Sequence, residues 1–264
     1  MTYDKIKLIR WGEVAVITLN DPASLNACGP EMARQLLDAL GAVAAGPGAA
    51  RAVLITGEGR AFCSGAKLQA SSDPLDEGEA FDIGAMIEAL YNPLVTAIRD
   101  LPIPLITAVN GAAAGMGCSI ALLGDLIVAG DSAYFLQAFR RIGLVPDGGA
   151  SYLLPRLVGK ARAMEMVLLG EKITAAQALD WGLINRVVAD DSLIEAALAL
   201  AGDLARGPAS LGLIRKAMWA ALDADWPQAL ALEHAAQGAA GRTADFREGL
   251  AAFLGKRAAV FRGK

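Results

Sequence analysis

Short apolar runs without polar alternation recur along the chain: Val14–Leu19, Ala52–Thr56, Leu105–Val109 and Leu126–Ala129. Successive strand residues point to opposite faces, so such runs predict strands buried on both sides. Lys5–Ile9 predicts a partner for the first run across a turn at Trp11-Gly12-Glu13, and Ala133–Leu136 and Ile184–Val188 are further strand candidates. Between the runs the period changes to that of a helix. Pro30–Ala45 places Met32, Leu36, Leu37 and Leu40 on one face behind a first-turn proline. Phe81–Arg99 carries a stripe at Ile83, Ile87, Leu90, Leu94 and Ile98, which Pro93 should kink or divide. Helices are also expected from about Met116 to Leu123, over Ser151–Val158 with Ala161–Leu169, and over Ala175–Trp181. Gln69–Glu79 is polar, acidic and turn-rich, the pattern of a surface loop.

Beyond Asp191 only helical patterns remain, at about 192–206, 209–222, 227–240 and 243–254. The change predicts an α/β core over 1–206 and a helical region over 207–264, with the boundary at Gly207-Pro208. Strand, glycine turn and helix follow one another after Leu19, Thr56 and Val109, which predicts a spiral of similar units.

With 264 residues, 55% of them apolar, the chain can bury a sizeable core. A net charge of −4 argues against a nucleic-acid partner. Cys28, Cys63 and Cys118 are far apart and show no metal spacing, so they read as small buried residues of a reducing compartment. His234 is the sole histidine, which rules out mechanisms needing two. No charged-then-apolar leader opens the sequence, and Pro102, Pro104, Asn110 and several glycines interrupt the apolar stretch at 101–123. A soluble cytoplasmic protein is expected.

Candidate chemistry centres on LITAVNGAAAGMGCSIALLGD, from Leu105 to Asp125. A strand-to-helix turn built from Gly and Ala lets another group approach the backbone closely. The free N–H groups of the helix start then suit an anion, or a carbonyl oxygen that becomes one during reaction. Tight packing of strand on helix demands the same small residues, so this stretch alone leaves both readings open. A second passage of the same kind is AFCSGAKL, Ala61 to Leu68. Asp147 stands in a Pro-Asp-Gly-Gly turn, where aspartate is common for conformational reasons.

AFCSGAKL and AVNGAAAGMGCSIALLGDLIVAGDSAYF together resemble the two signature segments of the crotonase (enoyl-CoA hydratase/isomerase) superfamily. The resemblance continues through RIGLVPDGGASYLLPRLVGKARAMEMVLLGEKITAAQALDWGLINRVV to ADFREGLAAFLGKR. YNPLVTAIRDLPIPLITAVNG and GLVPDGG look most like the ring-epoxide (epoxyphenylacetyl-CoA) isomerases of phenylacetate degradation. The resemblance implies an α/β spiral of repeated ββα units and a C-terminal helical region that packs trimers or dimers of trimers. It implies an acyl-CoA substrate, no separate cofactor, and a thioester carbonyl held by the backbone N–H groups of Ala66 and Met116. Substrate contacts are expected from Leu25 and Ala27 and from Ser64, Gly65, Lys67 and Leu68. Others are expected from Gly111, Gly115 and Pro146, and from Lys256 and Phe261 in the tail. Asp147 occupies the place of the catalytic aspartate of the epoxide isomerases.

The departures matter as much. Family hydratases place glutamates where this chain has Ser119 and Phe139, and the family's common aspartate after Gly-Ala is Lys67, a candidate partner for a CoA phosphate. Adding water needs groups to position the water and move a proton, so the reading favours isomerisation over hydration. Family dehalogenases use an aspartate at the position of Asp147 but need a histidine on the preceding helix, and Phe81–Arg99 has none. A non-catalytic acyl-CoA or RNA-binding member is the remaining alternative. Arg140, Arg141, Arg156, Lys160 and Arg162 read as a solvated face, and Tyr91 and Phe139 as pocket wall or core.

Overall fold

Two parallel-rich sheets carry the architecture of the computed structural model, which describes residues 3–44, 48–67 and 82–264. In the larger sheet β1 (Ile6–Trp11) and β2 (Val14–Leu19) form an antiparallel hairpin, turned at Gly12 with φ 58°. Parallel pairing then runs from β2 to β3 (Ala52–Gly57), to β5 (Leu105–Val109), to β7 (Leu126–Gly130) and to β10 (Arg186–Val188). The smaller sheet has the order β4 (Ala61–Cys63), β6 (Ala112–Ala114), β8 (Tyr134–Leu136) and β9 (Ile173–Thr174), with only the last pair antiparallel. Each of β3–β4, β5–β6 and β7–β8 therefore lays one strand in each sheet before the chain turns into a helix. This is the repeated ββα unit of the expected spiral.

The unbroken apolar runs are explained by cover on both faces of the larger sheet. Ala15, Ile17 and Leu19 of β2 join one core with Met32, Leu36 and Leu40 of α1 (Pro30–Ala44). Val14 and Val16 point the other way, into a second core closed by Leu193, Ala197, Ala201 and Ala205 of α7 (Leu193–Ala205). The strand needs no polar face because neither face meets water.

The described part of the stripe ending at Arg99 is divided into α2 (Ile83–Met86), a π turn (Ile87–Tyr91) and α3 (Asn92–Arg99). Pro93 has no N–H to offer the carbonyl four residues earlier. The backbone absorbs this one turn upstream, where the Asn92 N–H reaches five residues back to Ile87 O. After α4 (Met116–Leu122), the helix α5 (Ala150–Leu169) is likewise interrupted at Gly159 (φ 74°, ψ 162°). That break separates the two stretches the sequence marked out. The short strands β6 and β9 and the 3-10 turn Ala138–Ile142 are too brief to have left a pattern. Leu68 and the Gln69–Glu79 segment lie outside the described residues.

After α6 (Ala175–Asp180) and α7 come α8 (Ser210–Ala221), α9 (Trp226–Ala240) and α10 (Ala244–Leu254). Arg215 fastens α8 to the core. Its guanidinium donates to Asp125 Oδ2 at 2.7 Å and to the carbonyls of Ile98, Arg99 and Leu101 at the end of α3. Asp245 gathers the backbone N–H groups of Ala209, Arg262, Gly263 and Lys264, tying the tail to the start of α8. Ile214, Met218, Phe246, Leu250 and Phe253 leave an apolar groove of about 650 Å³ between α8, α9 and α10. Among the described residues no helix is long and apolar enough to cross a membrane.

Candidate active site

The two small-residue turns touch. Gly65 has φ 112°, and a Cβ there would lie 3.0 Å from Ala114 O and 3.9 Å from Gly115 Cα. Gly115 precedes α4 with φ 50° and ψ −123°, and its N–H is held by Leu136 O at 2.8 Å. Both backbones adopt conformations that only glycine takes without strain. The packing reading holds beside the functional one: a Cβ on Gly117 would sit 2.2 Å from Cys63 O, and one on Gly111 2.2 Å from Arg60 O.

The donors expected at the turns are arranged by their neighbours. Gly65 O accepts the Cys28 N–H at 2.7 Å, and Ala66 forms an isolated bridge with Cys28. A trans peptide sets C=O and N–H antiparallel, so this bond turns the Ala66 N–H away from Cys28. Met116 is the first residue of α4, where N–H groups lack intrahelical acceptors. Neither N–H has an acceptor among the described turn, loop and cap hydrogen bonds.

The loop bearing Asp147 is seated on the first turn of α4. Gly148 has φ 61°, and a Cβ there would meet Met116 Sδ at 2.7 Å and Ser119 Cβ at 2.8 Å. Ser119, fully buried, donates its hydroxyl to Asp147 O at 2.9 Å. The Asp147 side chain is half-buried, and its Oδ1 is buried without a hydrogen-bond partner among the described residues. Burial pushes its pKa up to about 6, because a carboxylate loses hydration it does not recover.

Tyr91, at the end of the π turn, donates its hydroxyl to Cys28 O at 2.7 Å. Burial, with the nearby Cys28 and Asp147, raises its pKa and keeps the phenol neutral. Cys63 is pushed by burial up to about 11, so it stays a thiol near neutral pH. Phe139, nearly buried, closes the wall beside Gly115, with its ring 3.7 Å from where a Gly115 Cβ would stand. The arrangement brings a carboxyl group able to gain and lose a proton near neutral pH to two turns that offer N–H groups.

The other expected contacts fall into three groups. Leu25 (φ 56°) and Ala27 flank Asn26 (φ 57°), whose buried amide binds the carbonyls of Glu58 and Ala61 and the Asp21 N–H. Ser64 joins this loop through Leu25 O and Ser24 O. Lys67 pairs with Asp21 at 3.5 Å. Pro146, half-buried, precedes Asp147, and Leu68 lies outside the described residues. Lys256 (φ 49°) follows α10, and Phe261 lines the C-terminal groove. Neither hydrogen-bonds to the Gly65 or Gly115 turns among the described residues.

Most of the arginine cluster is engaged within the protein. Arg140 and Arg141 cap the carbonyls of Leu168, Leu169 and Gly170, Arg156 lies 3.6 Å over the Tyr152 ring, and Arg162 lies 5.1 Å over Trp181. Sequence reasoning missed Asn26 and the Ser119 contact. A buried asparagine, the second of two successive left-handed residues, has only the short Asn-Ala-Cys-Gly context as a signal.

A family model described as enoyl-CoA hydratase/isomerase matches residues 10–264. The 1,2-epoxyphenylacetyl-CoA isomerase of Escherichia coli (strain K12) is 46% identical over 253 residues, 95% of each chain. A probable enoyl-CoA hydratase of Rhodobacter capsulatus is 45% identical over 265 residues, the full length of both. Among solved structures, a putative enoyl-CoA hydratase/isomerase from Mycobacterium abscessus superposes with a TM-score of 0.91 at 35% identity, covering 98% of this chain and 100% of the other. Matched over almost its whole length in sequence and in structure, this chain belongs to the enoyl-CoA hydratase/isomerase family and has the crotonase fold.

Proposed function

We propose that the protein is an acyl-CoA isomerase that shifts a double bond or opens a ring epoxide through an enolate. The observation that carries this reading is Asp147 Oδ1, buried and unpartnered among the described residues, on a loop seated against Met116. The thioester oxygen accepts the N–H groups of Ala66 and Met116, which withdraws electrons and acidifies the adjacent C–H. Asp147 takes that proton and the enolate charge rests on the oxygen between the two donors. The enolate then collapses with the proton returned at another carbon, or, with a ring epoxide, by breaking the C–O bond with the proton delivered to the released oxygen. Losing one such donor typically removes about 2.7–4 kcal/mol of transition-state stabilisation. Coenzyme A is part of the substrate, and no step calls for a further cofactor or a metal.

The name of the E. coli relative, a 1,2-epoxyphenylacetyl-CoA isomerase, supports the ring-epoxide form of the reaction. Hydration is the second reading, favoured by the name of the R. capsulatus relative. It would leave water to Asp147 alone, since Ser119 is committed to a backbone carbonyl and Phe139 is apolar. The helical region over 207–264 serves subunit packing in a trimer or dimer of trimers, and the protein acts in the cytoplasm. Exposed Phe253, Leu254 and Met218 support that packing.

A panel of acyl-CoA thioesters followed by mass spectrometry and absorbance tests the reading. Unchanged mass with altered absorbance is the expected result. Addition of one water would establish a hydratase, and no change with any thioester would leave a binding protein.

A further inference from the structure

Ser119 reaches both halves of the site. Its Oγ is 2.9 Å from Asp147 O and 3.4 Å from Gly115 O. The first belongs to the residue that carries the carboxyl group, and the second to the peptide that ends in the Met116 N–H. A hydroxyl has one proton to give, and the shorter contact receives it. Gly148 closes over the same side chain, because a Cβ there would meet Ser119 Cβ at 2.8 Å and Oγ at 3.1 Å. The Asp147 backbone is thus pinned from the first turn of α4, the same turn that presents Met116.

We infer that Ser119 is a positioning residue, which sets the distance between the Asp147 carboxyl group and an acyl thioester held on the Ala66 and Met116 N–H groups. This rests on the reading of Asp147 as the base. Ser119 touches no reacting atom and moves no proton to or from the substrate. Its hydroxyl fixes the Asp147-Gly148 peptide, and the peptide fixes where the carboxyl group stands. The same seating keeps water from the carboxyl group, so releasing the loop lowers the Asp147 pKa from about 6 towards the usual carboxylate range.

The test compares Ser119→Ala with Asp147→Asn. It measures solvent deuterium exchange into a saturating, non-isomerising acyl-CoA by NMR, with binding of the same thioester by calorimetry. A misplacement of about 1 Å can cost roughly 100-fold in rate, so Ser119→Ala should slow exchange by about 10- to 100-fold. Its binding should stay within about threefold, a change of well under 1.4 kcal/mol. The acid limb of the exchange profile should move to lower pH, a shift that loss of a serine with only a packing role would not produce. Ser119→Cys, which keeps the volume and a weak donor, should recover part of the rate and covers the case in which the alanine variant folds poorly.

Exchange at the wild-type rate in Ser119→Ala overturns the inference, and so does a slower rate with an unmoved acid limb. Full exchange in Asp147→Asn overturns the base assignment itself and leaves nothing for Ser119 to position. Slow exchange in Asp147→Asn with normal exchange in Ser119→Ala keeps the base and discards only the positioning role.

Discussion

The Cys28 N–H donates to Gly65 O at 2.7 Å, and that bond fixes the plane of the Gly65–Ala66 peptide. Cys28 is itself held through its carbonyl by the Tyr91 hydroxyl. A chain of three groups therefore runs from the π turn to the N–H of Ala66. Tyr91→Phe keeps the ring and breaks the chain, leaving Cys28 O buried without its partner. A loss of about 1–3 kcal/mol in stability is expected by urea denaturation. Acyl-CoA turnover should fall while the pH profile keeps its shape, because Asp147 is untouched.

Asp147 links activity and stability in opposite directions. Its raised pKa means that the native chain binds the proton more tightly than the unfolded chain does. The stability from this group is full below about pH 4 and is lost as pH rises through about 6. Asp147→Asn should accordingly be more stable than the wild type at pH 8, by about 1–2 kcal/mol after allowance for partial exposure. The difference should vanish below about pH 4 in thermal melts. Activity runs the other way: wild-type exchange should rise with pH through about 6, and the variant should lose about 10²–10⁴-fold. An unchanged melting curve at pH 8 would show that the carboxylate is hydrated in the native state.

Gly117→Ala and Gly41→Ala form a matched pair. The first places a Cβ 2.2 Å from Cys63 O and forces α4 away from β4, whereas the second, on the exposed face of α1, meets nothing within 4 Å. Gly117→Ala should cost about 1–3 kcal/mol or more and reduce acyl-CoA affinity. Gly41→Ala should add up to ~1 kcal/mol. Calorimetric melting of the two variants checks both signs at once.

Removing Arg215 should detach the C-terminal helices. Arg215→Met leaves three backbone carbonyls and the half-buried Asp125 carboxylate without the guanidinium, a loss of about 1–3 kcal/mol or more, although Asp125 keeps the Leu105 N–H and the Trp219 indole. Hydrogen exchange should show α8 opening before the sheets. Protection of α8 equal to that of the wild type would place its stability elsewhere.

Hydration of crotonyl-CoA should be weak, and Ser119→Glu should not restore it. Gly148 closes on the Ser119 Cβ, so a longer side chain displaces the Asp147 loop instead of entering the site. Steady-state turnover at the level of a dedicated hydratase would refute this.

Much of the scaffold was legible because burial on both faces leaves an unmistakable record. Val14–Leu19 could be read as a central strand without knowing that α1 and α7 cover it. Pro93 likewise announced a break that the backbone makes, whereas the one at Gly159 was not foreseen. The three-residue strand Ala112–Ala114 could not be read, since three alanines have no period. The site was legible only in part. Asp147 sits in a sequence that any turn would accept, and only the resemblance singled it out. Ser119 has the look of an ordinary helix residue, and its meaning depends on a carbonyl 28 residues away. Tyr91 and Cys28 are 63 residues apart, and no local pattern records their meeting.

The π turn at Ile87–Tyr91 is equivalent to one extra residue wound into a helix. Downstream, Leu94 and Ile98 are locked in the core, so the surplus cannot be passed along the chain. Deleting one residue between Glu88 and Leu90 would let the segment relax to an ordinary α-helix and turn its half-buried upstream face, Ile83, Met86 and Ile87, by about 100° relative to Tyr91. Tyr91, Leu94 and Ile98, all in the core, would keep their places. Evolution can therefore redraw the surface that leads up to Tyr91 by changing the length of the chain, without altering the character of any residue that lines it.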